Sequence, residues 1–517
     1  MKTVGKNIMS ELVHDVKCAE ICLILEGSYP YVAGGVSSWV HDLIQAQSHL
    51  TFHLLILVAP DSEKKRRYSL PKNVVGTTEI TLQRLPKGVK KLHHAEQIMQ
   101  QIEQLLNDLT YDADLDDLAS LLRISSPLRQ QLGKLFLLDS ATAWQMLLRM
   151  YRTGFSRCSF LDYFWSWRGL LGGMYSVILG ELPQARVYHA VSTGYAGLYL
   201  ARARLETGRP AMVTEHGIYT TERCIEIAMA DWLHEEDKFR SMNVDKSRRD
   251  LQDMWMRTFK NYSRICYEAC DQIITLFEGN QSSQLQNGSV AERMSVIPNG
   301  INYEYFSKMV RSSSKEKFVV ALIGRVVPIK DVKTFIRAIA QVRESLADVQ
   351  AYMIGPYDED PEYYDECKML VRYLGLESCF TFTGSVDLAQ WLTRIDLIVL
   401  TSISEAQPLV ILEAGAAGIP CVATDVGACR EMIEGDKRES PALGKGGMIV
   451  PLSSPSLTAQ AIVQLLSEPL LLQHCGSIIQ QRVRLYYNKN DLDETYRGLY
   501  EKYCSYPSVQ HIKEEVA

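Results

Sequence analysis

The chain has 517 residues, 46% of them hydrophobic, which suits two globular domains rather than one. Its 55 basic and 61 acidic side chains leave a net charge of −6, so no basic excess points to nucleic acid as the main partner. Twelve cysteines with no Cys-x-x-Cys and no Cys/His cluster argue against a metal ribbon or a disulfide scaffold and fit reduced thiols in a cytosolic protein.

Residues 1–19 read as a polar lead-in. The apolar run at 21–25 is too short for a signal sequence and reads as a first strand. No run approaches the roughly 20 apolar residues of a membrane span. Glu26-Gly-Ser-Tyr-Pro-Tyr-Val-Ala-Gly-Gly-Val36 follows, then a helix from Ser37 through Ile44. Gly34 and Gly35 suit either a plain tight turn or a backbone that a ligand approaches closely. A second strand covers 52–59, and the charged run at 61–67 reads as a solvated loop.

From about 88 to 182 the strand–helix alternation stops. Helical spacing of apolar residues covers 97–109, 116–122, 126–137 and 140–151, a helical insertion in the first domain. It ends in an aromatic stretch at 160–171, including Trp165 and Trp167. That stretch is a core helix or a docking face for a partner. Alternation resumes with strands at 186–191 and 211–215, the second ending at His216. A histidine at the C-terminal edge of a parallel strand lies where such sheets bind ligands. His189, inside its strand, suits the core as well as a function. Polar helix is expected over 219–247, then an amphipathic helix to Ala269. Strands follow at 271–277 and near Met294, and 312–316 has linker composition.

The second domain repeats βα units. Strands at 318–323, 349–354, 379–383, 396–400, 420–424 and 446–450 each lead into a loop and a helix, which predicts a parallel sheet covered on both faces. The expected boundaries are 1–308, 309–485, and a last helix in 486–517 that packs back on the first domain.

The most informative stretch is 401–431. A strand ends at a polar loop, and a helix restarts at Pro408 within its first turn and stops before Gly418, a left-handed cap residue. A strand, a short loop and a helix N-terminus make a phosphate-binding arrangement. Glu405 in the loop and Glu413 in the helix bracket it. Carboxylates beside a phosphate make sense as acceptors for sugar hydroxyls, so the residues suggest a nucleotide sugar.

These pieces together resemble the retaining glycosyltransferases of family 4. The motifs are Gly-Gly-Val at 34–36, His216 after a strand, Pro-Asn-Gly-Ile at 298–301, Gly-Arg-x4-Lys at 324–330, and Glu-x7-Glu at 405–413. Within that family, EGSYPYVAGGVSSWVHDL and TEHGIYTTER are similar to the PelF family of cytosolic glycosyltransferases from bacterial Pel exopolysaccharide systems. The resemblance implies a GT-B fold, two Rossmann-like domains facing a central cleft. It also implies transfer of a hexose from UDP-glucose or a UDP-N-acetylhexosamine to a polysaccharide acceptor. Arg325 and Lys330 would stabilise the leaving diphosphate, helped by helix N–H groups near Pro408, Leu409 and Val410. Glu405 would face the hexose, Glu413 the ribose, and His216 the sugar or acceptor. Gly34 and Gly35 would let the backbone close on the diphosphate. Gly355, Pro356, Ser385 and Val386 would line the base pocket. No metal or other cofactor is expected. The expected partners are the UDP-sugar, the acceptor and inner-membrane Pel synthase components, which would recruit a cytoplasmic protein to that surface. A GT-B epimerase or phosphorylase, or a scaffold that senses nucleotide sugars, are the alternatives.

Overall fold

The computed structural model describes residues 18–32, 34–60, 65–223, 244–309, 317–437 and 439–506. The lead-in, part of the charged loop near 61–67, most of the expected helix over 219–247 and the linker at 312–316 lie outside these residues. The chain divides into two compact units. Met1–Thr214, Tyr219–Ile273 and Leu499–Ala517 make one, and Glu215–Ile218 with Ile274–Gly498 make the other.

The first sheet has seven strands: β1 (Ala19–Glu26), β2 (Phe52–Val58), β3 (Val74–Thr81), β4 (Ala185–Ala190), β5 (Ala211–Glu215), β6 (Gln272–Thr275) and β7 (Met294–Val296). They lie in the order β3-β2-β1-β4-β5-β6-β7, parallel from β3 through β5. The second sheet has β8 (Phe318–Ile323), β9 (Val349–Ile354), β10 (Phe380–Gly384), β11 (Leu397–Leu400), β12 (Cys421–Thr424) and β13 (Gly447–Val450), all parallel, in the order β10-β9-β8-β11-β12-β13. β11 and β12 are buried along their whole length, as strands covered on both faces must be.

β3 is a strand that the apolar pattern does not announce. Its sequence, VVGTTEIT, alternates half-buried and exposed residues at the sheet edge. His53 of β2 holds it, with Nε2 2.9 Å from Thr78 Oγ1. The helical insertion lies between β3 and β4, in five α-helices from Ala95–Tyr111 to Phe160–Leu179 and one π-helical turn, Tyr151–Phe155. The helix expected over 126–137 is shorter, Lys134–Leu137. A Cβ at Gly133 would lie 2.3 Å from the Pro86 carbonyl, so the chain there turns tightly against a neighbouring loop before the helix begins.

The packing division falls at 273/274, earlier than the expected boundary of 308. Leu276, Phe277 and Ile301 are buried in the second unit's core with Ile398, Leu400 and Ile411, which draws the segment into that unit. The last described helix is Lys489–Cys504, and its residues from Leu499 pack with the first unit. There the Tyr500 hydroxyl lies 2.7 Å from His189 Nδ1, while His189 Nε2 meets Thr214 Oγ1 at 2.8 Å. His189 is therefore a satisfied core histidine. Among the described residues no single helix is long and apolar enough to cross a membrane.

Candidate functional site

The second sheet reverses its strand order between β8 and β11. Open parallel sheets bind ligands at the C-terminal ends of the strands beside such a reversal. Two loops meet there, Gly324 to Lys330 after β8 and Thr401 to Pro408 after β11. Backbone bonds tie them: Ile403 N–H donates to the Ile329 carbonyl at 2.8 Å. Thr401 Oγ1 donates to the carbonyls of Lys330 and Asp331, each at 3.0 Å. From β12, Thr424 Oγ1 donates to the Ser402 carbonyl at 2.6 Å.

This stitching brings Lys330 and Glu405 into an ion pair, and Ser402 Oγ donates to the same Glu405 oxygen at 2.7 Å. Their side chains are only 18% and 14% exposed, so bulk salt screens the pair less than a surface one. Gly427 sets the height of the Glu405 loop. Its φ is +50°, and a Cβ there would lie 2.1 Å from the Glu405 carbonyl. The adjoining Ala428 N–H donates to the Ala406 carbonyl at 2.8 Å.

Arg325 does not join this pair. Its guanidinium turns to Glu359, with hydrogen bonds of 2.6 and 2.7 Å between two half-exposed side chains. An exposed pair of that kind is worth about 1 kcal/mol or less, so a phosphate could displace the glutamate readily.

Pro408 is the N-cap residue, with φ −73° and ψ 109°, not part of the first helical turn as expected; the helix is Leu409–Ala416. No side chain caps it, and Leu409 and Val410 in its first turn are half-buried. Gly418 does adopt the left-handed conformation, φ +72°, just past the helix end. Gln407, which precedes the helix, is occupied elsewhere: its Oε1 accepts from Asn299 N–H at 2.7 Å. The Pro-Asn-Gly-Ile motif is thus a brace for this loop. Its Gly300 packs so closely that a Cβ would lie 2.7 Å from Lys489 Cα.

Glu413 stands apart from the other charges. No side chain pairs with it among the described residues, and burial alone pushes its carboxyl up to about 7. It is a half-buried acceptor poised near neutrality. Gly355 has a reason within the protein: φ is +143°, and a Cβ would lie 2.0 Å from the Gly324 carbonyl, so it lets the ends of β8 and β9 converge. Pro356 accepts from Val326 N–H at 2.9 Å. Ser385 is exposed, whereas Val386 packs against the core. Tyr357, which the motif reading passed over, leans on Gly384 and stacks on Tyr364 with ring centroids 4.4 Å apart.

His216 follows β5 and is buried, and burial lowers its imidazole to about 4. It is neutral at physiological pH. Glu215, beside it, accepts from Gln284 Nε2 at 3.0 Å.

The first sheet has its own reversal, between β1 and β4. Glu26, the last residue of β1, is held there by four groups. Tyr219 Oη donates to it at 2.8 Å, Ala196 N–H at 3.1 Å and Ser192 Oγ at 3.4 Å, and Arg223 lies 3.9 Å away. Arg223 also lies over the rings of Tyr219 and Phe259. Glu26, Tyr219 and Arg223 fall within the motifs at 26–43 and 214–223, where no individual role was attached to them. For Glu26 a further signal is position, an acid ending the first strand of a parallel sheet. Gly34 and Gly35 lie farther along the same segment. Gly34 is extended, with φ 175°, and a Cβ at either residue would meet nothing within 4 Å. The protein's own packing therefore does not demand glycine at either place.

The aromatic stretch at 160–171 divides between surface and interior. Leu161 and Trp165 are about two-thirds exposed, at 62% and 63%, but Trp167 is buried and belongs to no docking face.

Residues 19–292 match the family described as a domain of unknown function (DUF3492), and residues 317–468 match the one described as glycosyl transferases group 1. The D-inositol 3-phosphate glycosyltransferase of Paenarthrobacter aurescens (strain TC1) is 27% identical over 190 residues, which is 34% of this chain and 44% of that protein. The chain spans about half or less of the length of such curated relatives, 44%, 21% and 51% for three of them. Among solved structures, Anabaena Alr3699/HepE in complex with UDP superposes with a TM-score of 0.56 at 16% identity, covering 93% of this chain and 100% of that one. Sucrose-phosphate synthase from Thermosynechococcus elongatus gives 0.55 at 16% identity, covering 93% and 98%. These likenesses establish the fold: two Rossmann-like parallel-sheet domains of GT-B type.

Proposed function

Because the chain belongs to the family described as a domain of unknown function (DUF3492) and carries a group 1 glycosyltransferase segment after it, we propose that it transfers a hexose from a UDP-sugar to a polysaccharide with retention of configuration. The observation that carries this reading is the Lys330–Glu405 pair at the reversal of the second sheet. A GT-B neighbour solved with UDP supports the choice of nucleotide.

In this reading the anomeric carbon–oxygen bond to the diphosphate breaks while the acceptor oxygen bonds to the same face. The acceptor proton passes to a phosphate oxygen of the leaving group, so no protein base is assigned. Lys330 trades part of its pairing with Glu405 for the diphosphate, Arg325 exchanges Glu359 for a phosphate oxygen, and the N–H groups at Leu409 and Val410 add donors. Glu405 then faces the hexose and offsets positive charge at the anomeric carbon. Glu413 accepts from the ribose hydroxyls. Gly34 and Gly35 leave room for a ligand beside the backbone, and neutral His216 serves as a hydrogen-bond partner for a sugar. Side chains supply the positive charge, so turnover is expected to be the same with and without EDTA.

The finer assignment is the Pel exopolysaccharide of a biofilm matrix, made by a cytoplasmic enzyme with inner-membrane Pel synthase partners. It rests on the motifs at 26–43 and 214–223. UDP-glucose and UDP-N-acetylhexosamines are the candidate donors. Calorimetry with UDP, GDP, ADP and their sugars tests the reading. Saturable binding of UDP and one UDP-sugar is expected; selective binding of GDP or ADP would overturn it.

A further inference from the structure

We propose that the helical insertion contains a binding site for a small amphipathic molecule, one with an apolar segment that bears a carbonyl-type oxygen and an uncharged polar end. The helix Phe160–Leu179 and its neighbours enclose a cavity of about 170 Å³, walled by Leu106, Leu170, Leu171 and Met174. An apolar cavity of about 150 Å³ is enough to take a benzene-sized molecule. This one is not wholly apolar. Tyr163 and Trp167, one helical turn apart on the same face, both line it. Tyr163 is 0% exposed and Trp167 5%, yet neither the Tyr163 hydroxyl nor the Trp167 indole N–H meets a protein partner among the described residues.

Buried polar groups are almost always hydrogen-bonded, and two orphans in one cavity call for a shared explanation. The indole N–H can only donate, and the phenol donates readily. What the pair lacks is an acceptor, and a carbonyl oxygen on an otherwise apolar ligand supplies one. Glu103 also lines the cavity but is taken up by Arg149.

The cavity adjoins a polar recess. Tyr111, Thr153, Gly154, Phe155 and Met254 line both, so they form the passage between them. Three of these belong to the π-helical turn Tyr151–Phe155, a rare conformation that recurs at functional sites. The recess carries Arg157, Arg257, Asp250 and Asp253, two charges of each sign. Balanced charge favours an uncharged polar head over an anion. A ligand with its acyl or ring segment inside and its head in the recess would satisfy both compartments.

The test uses the full chain with ¹⁵N-labelled tryptophan and 1-monohexanoylglycerol as the probe. The Trp167 indole resonance is identified by its absence in Trp167→Phe. A saturable shift of that resonance is expected. Tyr163→Phe should weaken the probe about 2- to 12-fold, the loss of one hydrogen bond. Met254→Trp, which fills the passage, should abolish the shift while the thermal melt stays cooperative. No saturable shift in the wild type would overturn the proposal, since ordered water alone would then account for the two donors. Equal affinity in the wild type, Tyr163→Phe and Met254→Trp would overturn it too. Binding is the readout throughout, so the outcome does not depend on glycosyl transfer.

Discussion

Lys330 and Glu405 form an ion pair across the reversal of the second sheet, the lysine from the loop after β8 and the glutamate from the loop after β11. The pair keeps a cation and an anion half-buried without leaving either charge uncompensated. It also makes the two residues separable by experiment. Lys330→Ala should weaken UDP binding by about 1.5–3 kcal/mol, the worth of a charge-assisted bond. Glu405→Ala releases the lysine, so UDP affinity should hold or rise while hexose transfer is lost. Calorimetry and turnover measured on the same two variants check this split; a loss of UDP affinity in Glu405→Ala would contradict it.

Arg325 offers a complementary case. Its partner Glu359 is as exposed as it is, and exposed pairs contribute little to stability. Glu359→Ala should leave the unfolding free energy within about 0.5 kcal/mol of wild type and should tighten UDP. Arg325→Ala should weaken UDP. Denaturant melts and calorimetry read both effects.

Glu413 makes the protein pH-sensitive in two ways. Its carboxyl titrates near 7, above the usual carboxylate range, because burial penalises the charged form. Raising the pH from about 4.5 to 7 therefore forces a charge that the folded state resists. Relative to Glu413→Gln, the wild type should lose stability across that window, with no further loss above it. Ribose hydroxyls prefer the ionised acceptor, so nucleoside affinity should rise as pH passes through 7. Using uridine rather than UDP removes the phosphate's own titration. A pH profile for uridine that is the same in Glu413→Gln would rule out the ribose role.

Gly427 lies in the left-handed region, and a Cβ there would meet the Glu405 carbonyl at 2.1 Å. Gly427→Ala combines a strained φ with a clash against backbone, so it should cost more than about 1 kcal/mol. Because the neighbour is the Glu405 loop itself, hexose transfer should fall further than in an equally destabilised variant elsewhere. Comparing turnover with melting temperature checks the difference.

Glu26 collects donors from β4's loop, the following helix and Tyr219. Burial pushes the Tyr219 phenol well up, so it remains a donor at any physiological pH. The Tyr219 ring also packs against Gly194, where a Cβ would lie 2.2 Å from it. If this cluster orients an acceptor hydroxyl, Glu26→Gln should lower transfer and leave UDP affinity unchanged. Tyr219→Phe should raise the acceptor KM. A fall in UDP affinity in either variant would place the cluster on the donor side.

The local sequence carried much of the fold. Apolar runs of four to eight residues that end at Gly, Pro or polar loops are legible one βα unit at a time, and so the second sheet could be read as parallel. The placement of Glu405 in a loop and Glu413 in the helix after it was legible for the same reason, since a strand, its loop and the next helix are contiguous in sequence. β3 was not, because an edge strand needs no apolar run and its pattern resembles a polar loop. Tertiary structure alone decided the pairings. Lys330 and Glu405 are 75 residues apart, and Tyr219 meets Glu26 across 193. Strand order and parallel register bring such loops together at one sheet edge, and no short-range periodicity encodes either. Burial was decided in the same way: Trp165 and Trp167 are the same residue type two positions apart, yet helix rotation leaves the first mostly exposed and puts the second in the interior.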